Sequence, residues 1–185
     1  MENLRQEQYS YADVLTWDEQ ERIELIYGEP RMMAPPKRIH QAVSMELSTQ
    51  IASFLNGKQC KVFAAPFGVR LFEKPGDAAS EVDTYVEPDI TVVCDPKKLD
   101  ECGCQGAPDL IIEILSDSTD RDDRVVKYQL YQKAGVKEYW IVDPVKNQIS
   151  VYNLSETGAV PTYYRFDDKV KAGIYDDLYI DFSDI

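Results

Sequence analysis

The chain has 185 residues, of which 44% are hydrophobic and 29% charged, and its formal net charge is −13. This length predicts one domain with a sizeable core, and the composition excludes a disordered chain and a membrane-spanning protein. The acidic balance argues against broad, non-specific adhesion to nucleic acid, although a local basic groove remains compatible with it. Residues 1–15 lack the basic and then apolar pattern of a signal peptide, so we expect a cytoplasmic protein.

The N-terminal third begins with a short helix, followed by a strand over 22–28 and a turn. In that strand Ile23, Leu25 and Tyr27 alternate with polar neighbours, which is typical of a strand with one buried face. A helix is predicted over 38–55 because its apolar residues recur at helical spacing. These residues are Val43, Leu47, Ile51, Phe54 and Leu55.

The remaining segments complete a recognisable order. We expect a strand over 60–72 bent near residues 66–68, an antiparallel partner over 86–94, a loop at 95–107 and a strand over 108–115. A helix should begin at a capping pair, Thr119 and Asp122, and end at Gly135. The strand over 137–144 should then lie parallel to its predecessor through a right-handed crossover. Further edge strands are expected at 148–154, 162–166 and 178–182.

From residue 38 the predicted order is αβββαβ, the core of the restriction-endonuclease-like α/β (α+β) fold, with a mixed sheet flanked by helices. We expect one domain over 1–185. Its parts would be an N-terminal helix and strand over about 8–35, the core over about 38–145 and C-terminal strands over about 147–185.

Four cysteines are present, Cys60, Cys94, Cys102 and Cys104, and they form no CxxC pair. The single histidine, His40, is distant from them in the sequence. We therefore predict reduced thiols and no structural zinc site.

Two acids occupy strand positions where a core would favour apolar residues. Asp89 opens one strand in "EPDITVV", and Glu113 interrupts the apolar run "PDLIIEIL". Neighbouring strands lie ~5 Å apart, so both carboxylates could reach one ion. Oxygen ligands of this kind suit Mg²⁺ or Mn²⁺. The expected ligands are Asp89, Glu113 and the backbone carbonyl of Ile114.

Pro108-Asp109 followed by Glu113 also spells a literal PD-x-x-x-E. Four residues along a strand span ~13 Å, which is too far for Asp109 and Glu113 to chelate a single ion. We therefore interpret Asp109 as a strand-entry residue.

A nearby cation is needed to orient the attacking water or to balance transition-state charge. A lysine two residues after Glu113 would lie on the same face of the strand, but that position is Leu115. Lys127, on the following helix, is therefore the candidate for this cation. Asp123 and Lys127 share a helical face, with Tyr131 one turn further.

The segments "EPDITVV", "GAPDLIIEILSDST" and "DDRVVKYQLYQKAGVKEYWIVDP" resemble the Uma family of endonucleases, within the PD-(D/E)XK restriction-endonuclease-like superfamily. The resemblance extends back to "IELIYGEPRMMAPPKRIHQ" and covers most of residues 10–145. It implies acids at Asp89 and Glu113, a lysine displaced onto the next helix at Lys127, and His40 near the site.

Each assignment has a structural alternative. Glu113 could pair with Lys127 or Arg124 for stability alone, Asp89 could only begin a strand, and Lys127 could be a solvated helix residue. Asp123 could be a surface residue and His40 a capping or packing residue, while Tyr131 and Trp140 are predicted to belong to the core. The remaining candidates, which could contact phosphate or cap a helix, are Ser116, Ser118 and Thr119.

The leading hypothesis is a Mg²⁺- or Mn²⁺-dependent endonuclease that hydrolyses DNA phosphodiester bonds as a homodimer. One alternative is a non-catalytic nucleic-acid-binding or regulatory protein that retains the nuclease fold. The other is a hydrolase of a different phosphate substrate.

Overall fold

The computed structural model describes residues 8–18, 22–116, 122–156, 158–183 and 185. The α-helices in these ranges are α1 (Tyr11–Val14), α2 (Arg38–Leu55) and α3 (Tyr128–Ala134). A π-helical turn, Asp122–Lys127, leads directly into α3, and short 3₁₀ turns span Ala79–Glu81 and Pro96–Lys98.

The strands in the described ranges form three sheets. In chain order they are β1 (Ile23–Ile26), β2 (Glu29–Met32), β3 (Lys61–Ala64), β4 (Val69–Arg70), β5 (Tyr85–Val86), β6 (Ile90–Val93), β7 (Leu99–Asp100), β8 (Gly103–Gln105), β9 (Leu110–Ile114), β10 (Glu138–Asp143), β11 (Gln148–Asn153), β12 (Thr162–Arg165), β13 (Lys169–Lys171) and β14 (Tyr179–Asp181). The central sheet has the order β12-β11-β10-β9-β6-β3, a second sheet has the order β2-β1-β5-β4-β8-β7, and β13 pairs with β14.

The central sheet has the predicted connectivity. β3, β6 and β9 are successively antiparallel, and β10 runs parallel to β9 after the crossover through α3. Because α2 precedes β3 in the chain, the core has the order αβββαβ, and the predicted restriction-endonuclease-like core is confirmed.

Both faces of the central sheet are covered. Leu110, Ile112 and Ile114 of β9 pack in one apolar cluster with the buried stripe of α2, whereas Ile111 and Leu115 pack in another with α3. The alternation places Glu113 on the α3 face, between Ile111 and Leu115. The position of the acid therefore follows from the pleat of β9.

Two predictions about the middle of the chain were wrong. The segment 60–72 is not one bent strand, because β3 and β4 belong to different sheets and a cis Ala65-Pro66 bond separates them. The expected loop at 95–107 contains the β7–β8 hairpin. Gly103 there has φ +125°, and a Cβ on it would lie 2.0 Å from the carbonyl oxygen of Gly68, so the close approach of these segments requires glycine.

The helix predicted after β9 is confirmed in its described part, although its first turns are π-helical, which periodicity did not predict. Gly135, at φ +90°, ends it as expected. The proposed capping pair lies outside the part of the chain that the structure describes, which includes neither Thr119 nor the side chain of Asp122.

The expectation of reduced thiols was wrong for two of the four cysteines. Lys61 pairs with Val93 across β3 and β6, which brings Cys60 and Cys94 opposite each other, and they form a disulfide. Cys102 and Cys104 are free thiols, the first exposed and the second buried. Burial raises the pKa of the Cys104 thiol to about 11.

Within the described ranges, no helix combines the length and the apolar character needed to cross a membrane.

Candidate active site

A cavity of about 140 Å³ lies where the β1–β2 hairpin, the start of α2 and adjoining ends of β6 and β9 meet. Its charged or ionisable lining residues are Arg22, Glu24, Arg31, His40, Asp89, Glu113 and Lys127. The main candidates from the sequence, which come from four separate segments of the chain, therefore line one cavity.

The antiparallel register of β6 and β9 brings the two predicted metal ligands together. Ile90 pairs with Ile112, so Asp89 and Glu113, the next residues on each strand, lie side by side. Oδ2 of Asp89 accepts a 2.7 Å hydrogen bond from the backbone N–H of Ile114. Asp89 therefore does more than begin a strand, since its carboxylate is fixed beside Glu113.

Lys127 is a buried ion-pair residue, so its interpretation as a solvated helix residue was wrong. Its ammonium nitrogen lies 2.9 Å from Oε1 of Glu113 and 3.0 Å from Oε1 of Glu24. The lysine is 5% exposed, and Glu113 and Glu24 are 3% and 4% exposed. Burial of an ionised carboxylate is costly without a partner, and Lys127 supplies that partner.

Glu24 was not anticipated from the sequence. We expected it on the polar face of β1, but it is buried, and Tyr27, expected on the apolar face, is exposed in the turn after β1. The Oε1 atom of Glu24 also accepts a 3.1 Å hydrogen bond from the backbone N–H of Glu87. The available signal was an acid between Ile23 and Leu25, the same pattern that marked Glu113.

Tyr131 belongs to the core, as predicted, and also contacts the site. Its ring is fully buried and its hydroxyl donates a 2.6 Å hydrogen bond to Oε1 of Glu113. Lys127 and Tyr131 are separated by one helical turn, so both reach the same carboxylate oxygen from one face. Trp140 is likewise buried in the core.

His40 lies at the site, near the start of α2. Its Nε2 atom is 3.0 Å from Oδ2 of Asp89, while its Nδ1 atom is buried without a hydrogen-bond partner among the described residues. A buried ring nitrogen of this kind is normally satisfied by water, an ion or a bound ligand.

Asp109 has the structural role predicted for it. Its Oδ2 atom accepts the backbone N–H of Cys94 at 2.7 Å, and Oδ1 pairs with Lys137 at 2.7 Å. Asp109 does not line the cavity, so the literal PD-x-x-x-E motif does not identify the acids of the candidate site.

The other candidates from the sequence differ in whether they lie at the cavity. Ser116 lines the cavity, and Arg124 pairs with Asp143 at 3.0 Å. Although burial opposes ionisation of Asp143, hydrogen bonds and charge from Lys146, together with Arg124, lower its pKa. Ser118 and Thr119 lie outside the described residues, as does the side chain of Asp123.

The donor set suits a hard divalent cation. Asp89 and Glu113 offer carboxylate oxygens to the same cavity, which Ile114 also lines, and the contacts of Asp89 with Ile114 and His40 both use its Oδ2 atom. Among the described residues, no three His, Cys, Asp or Glu side chains gather as a metal cluster. Magnesium commonly uses one or two carboxylates with water and substrate oxygens, so two acids are compatible with it.

Comparisons with known proteins agree with this architecture. The family model of Uma2, described as "Putative restriction endonuclease", matches residues 11–173. An uncharacterised protein of Synechocystis, slr1290, is 26% identical over 152 residues, covering 80% of this chain and 76% of its own length. A crystal structure from Anabaena variabilis, described as a putative nuclease belonging to DUF820, has a TM-score of 0.74 at 20% identity and covers 95% of this chain and 96% of its own. This chain belongs to the Uma2 family.

Proposed function

We propose that this protein is a divalent-metal-dependent endonuclease that hydrolyses phosphodiester bonds in DNA. The observation that carries the proposal is the convergence of Asp89, Glu113 and Lys127 on one cavity wall. Fixed carboxylates beside a fixed ammonium are the groups that such hydrolysis needs, since negative charge increases on the phosphate in the transition state.

Asp89, Glu113 and the backbone carbonyl of Ile114 would hold Mg²⁺ or Mn²⁺. When bound, such an ion supplies Lewis-acid activation of water and stabilises charge on the phosphate. Asp89 is oriented for this role by the N–H of Ile114 and by His40.

Lys127 would orient the attacking water and offset negative charge on the phosphate. Its ammonium is held between Glu24 and Glu113, so little reorganisation is required during reaction. Glu24 acts as a positioning residue through Lys127, and Tyr131 through Glu113.

The test is nicking of supercoiled plasmid with Mg²⁺ or Mn²⁺, comparing wild type with Asp89→Ala and Lys127→Ala. Asp176→Ala and Lys171→Ala are matched controls, since this pair is exposed and separated by 4.0 Å. Circular dichroism verifies the fold of every variant.

We expect nicking by wild type and both controls, and its loss in both site variants. A folded, metal-binding wild type that leaves DNA intact would favour a different phosphate substrate. A folded wild type that neither nicks DNA nor binds metal would favour a non-catalytic protein that retains the fold.

We propose further that residues 1–185 act as one domain in the cytoplasm and that two copies associate, which would allow both DNA strands to be cut. Sedimentation equilibrium tests the association, and a monomer at all concentrations would contradict it.

A further inference from the structure

A second groove, of about 410 Å³, adjoins the candidate active site. It lies between the β1–β2 hairpin and the continuous helix formed by the π-helical turn and α3, and it shares two lining residues, Ile26 and Arg31, with the active-site cavity. A polymeric substrate whose scissile bond lay in the cavity could therefore continue into this groove over Arg31.

The groove combines an accessible aromatic ring with cationic side chains. Tyr27 is 40% exposed and stacks on Phe72 with ring centroids 5.9 Å apart. The ammonium of Lys133 is 4.7 Å from the Tyr27 centroid. The lining includes two cations, Arg31 and Lys133, and one acid, Glu29, so it has a net positive charge in a chain whose net charge is −13.

The backbone at Tyr27 is unfavourable for a bulky residue. Tyr27 has φ +51° and Gly28 has φ +80°, and both are central residues of the hairpin turn. Turns with two positive φ angles favour Asn, Asp or Gly, because a bulky side chain is strained there. A tyrosine at this position therefore suggests a use for its ring beyond formation of the turn.

We propose that this groove is a nucleotide-binding subsite for an unpaired nucleotide flanking the scissile bond. The base would stack on Tyr27, and backbone phosphates would contact Lys133 and Arg31. Aromatic rings beside cations are the usual means of binding single strands, because every base has a face that can stack. A base inside a duplex has both faces covered, so the preferred substrate is DNA with unpaired bases. This inference rests on the proposed function of the adjoining cavity.

The test is fluorescence anisotropy with a labelled single-stranded oligothymidylate in EDTA, compared with a blunt duplex. The variants are Tyr27→Asn, which suits the left-handed backbone and therefore preserves folding, and Lys133→Ala. Tyr163→Ala and Lys171→Ala are the controls, since both side chains are exposed and belong to the C-terminal strands. Plasmid nicking is measured in parallel.

We expect the wild type to bind the single strand more tightly than the duplex. Tyr27→Asn should weaken single-strand binding about tenfold without lowering the melting temperature. Lys133→Ala should reduce the slope of log affinity against log salt by ~0.7, the loss of one phosphate contact, and the controls should leave both quantities unchanged.

The outcomes separate the subsite from the proposed nuclease. Nicking with unchanged single-strand binding in Tyr27→Asn and Lys133→Ala would overturn the subsite alone. Tyr27-dependent binding without nicking would support the subsite and count against the nuclease. Wild type without affinity for either DNA would overturn the subsite.

Discussion

Replacement of Lys127 by methionine tests whether the buried ion pairs stabilise the fold. The variant retains much of the side-chain volume but leaves the buried carboxylates of Glu24 and Glu113 without their shared cation. Removal of one partner from a buried pair costs about 3–5 kcal/mol, against about 5–15 kcal/mol for the stability of a whole domain.

Arg124→Met is the matched control. Arg124 precedes Lys127 by one turn and pairs with Asp143 at 3.0 Å, but its side chain is 27% exposed. Solvent screens such a pair, so the expected cost is about 0–1 kcal/mol. The two variants thus differ in burial while ion-pair distances are nearly equal.

The measurement is urea unfolding in EDTA, read as the free energy of unfolding with an unchanged denaturant slope. Adding Glu24→Gln to Lys127→Met should recover about 1–3 kcal/mol, since one buried carboxylate is then neutral. Equal costs below about 1 kcal/mol for Lys127→Met and Arg124→Met would refute the reasoning, because burial would then not govern the strength of the pair.

Three further predictions concern metal, a hydrogen bond and pH. Mg²⁺ at a hundred times its dissociation constant should raise the melting temperature of wild type by about 5–10 °C, and an equal rise in Asp89→Ala would contradict the proposed ligand. Tyr131→Phe removes the 2.6 Å hydrogen bond to Glu113 and should cost about 1.5–3 kcal/mol in urea unfolding, together with part of the nicking rate; unchanged stability would show that the contact is weak. Burial raises the pKa of Glu138, although a hydrogen bond from Trp140 opposes the shift. The folded state therefore holds this proton more strongly than the unfolded state, and stability should fall as pH rises from the ordinary glutamate value through the raised one. Urea midpoints at successive pH values should show this slope in wild type and a smaller slope in Glu138→Gln; equal slopes would contradict it.

Local patterns in the chain were sufficient to predict much of the core and to select several residues of the candidate site. The helical stripe of α2, the apolar run of β9 and the Gly135 terminus depend on neighbouring residues, so periodicity predicts them. Glu113 was recognisable for the same reason, because it is an acid inside an apolar run. The expected pairing of the strands that carry Asp89 and Glu113 was enough to predict that the two acids are neighbours, and β6 does pair with β9.

Contacts between distant segments required the folded structure. Glu24 and Lys127 are 103 residues apart, and their pairing arises because the second sheet brings β1 against the helix after β9. The acid between Ile23 and Leu25 in β1 marks Glu24 as a candidate for burial, but the local pattern does not identify Lys127 as its partner. The Cys60–Cys94 disulfide likewise depends on strand register, since a shift of one residue between β3 and β6 would separate the two sulfurs. Side-chain chemistry and periodicity were thus sufficient to identify candidate site residues. Sheet order and strand register determine which of these residues are in contact, because pairing energies depend on distances that only the tertiary fold sets.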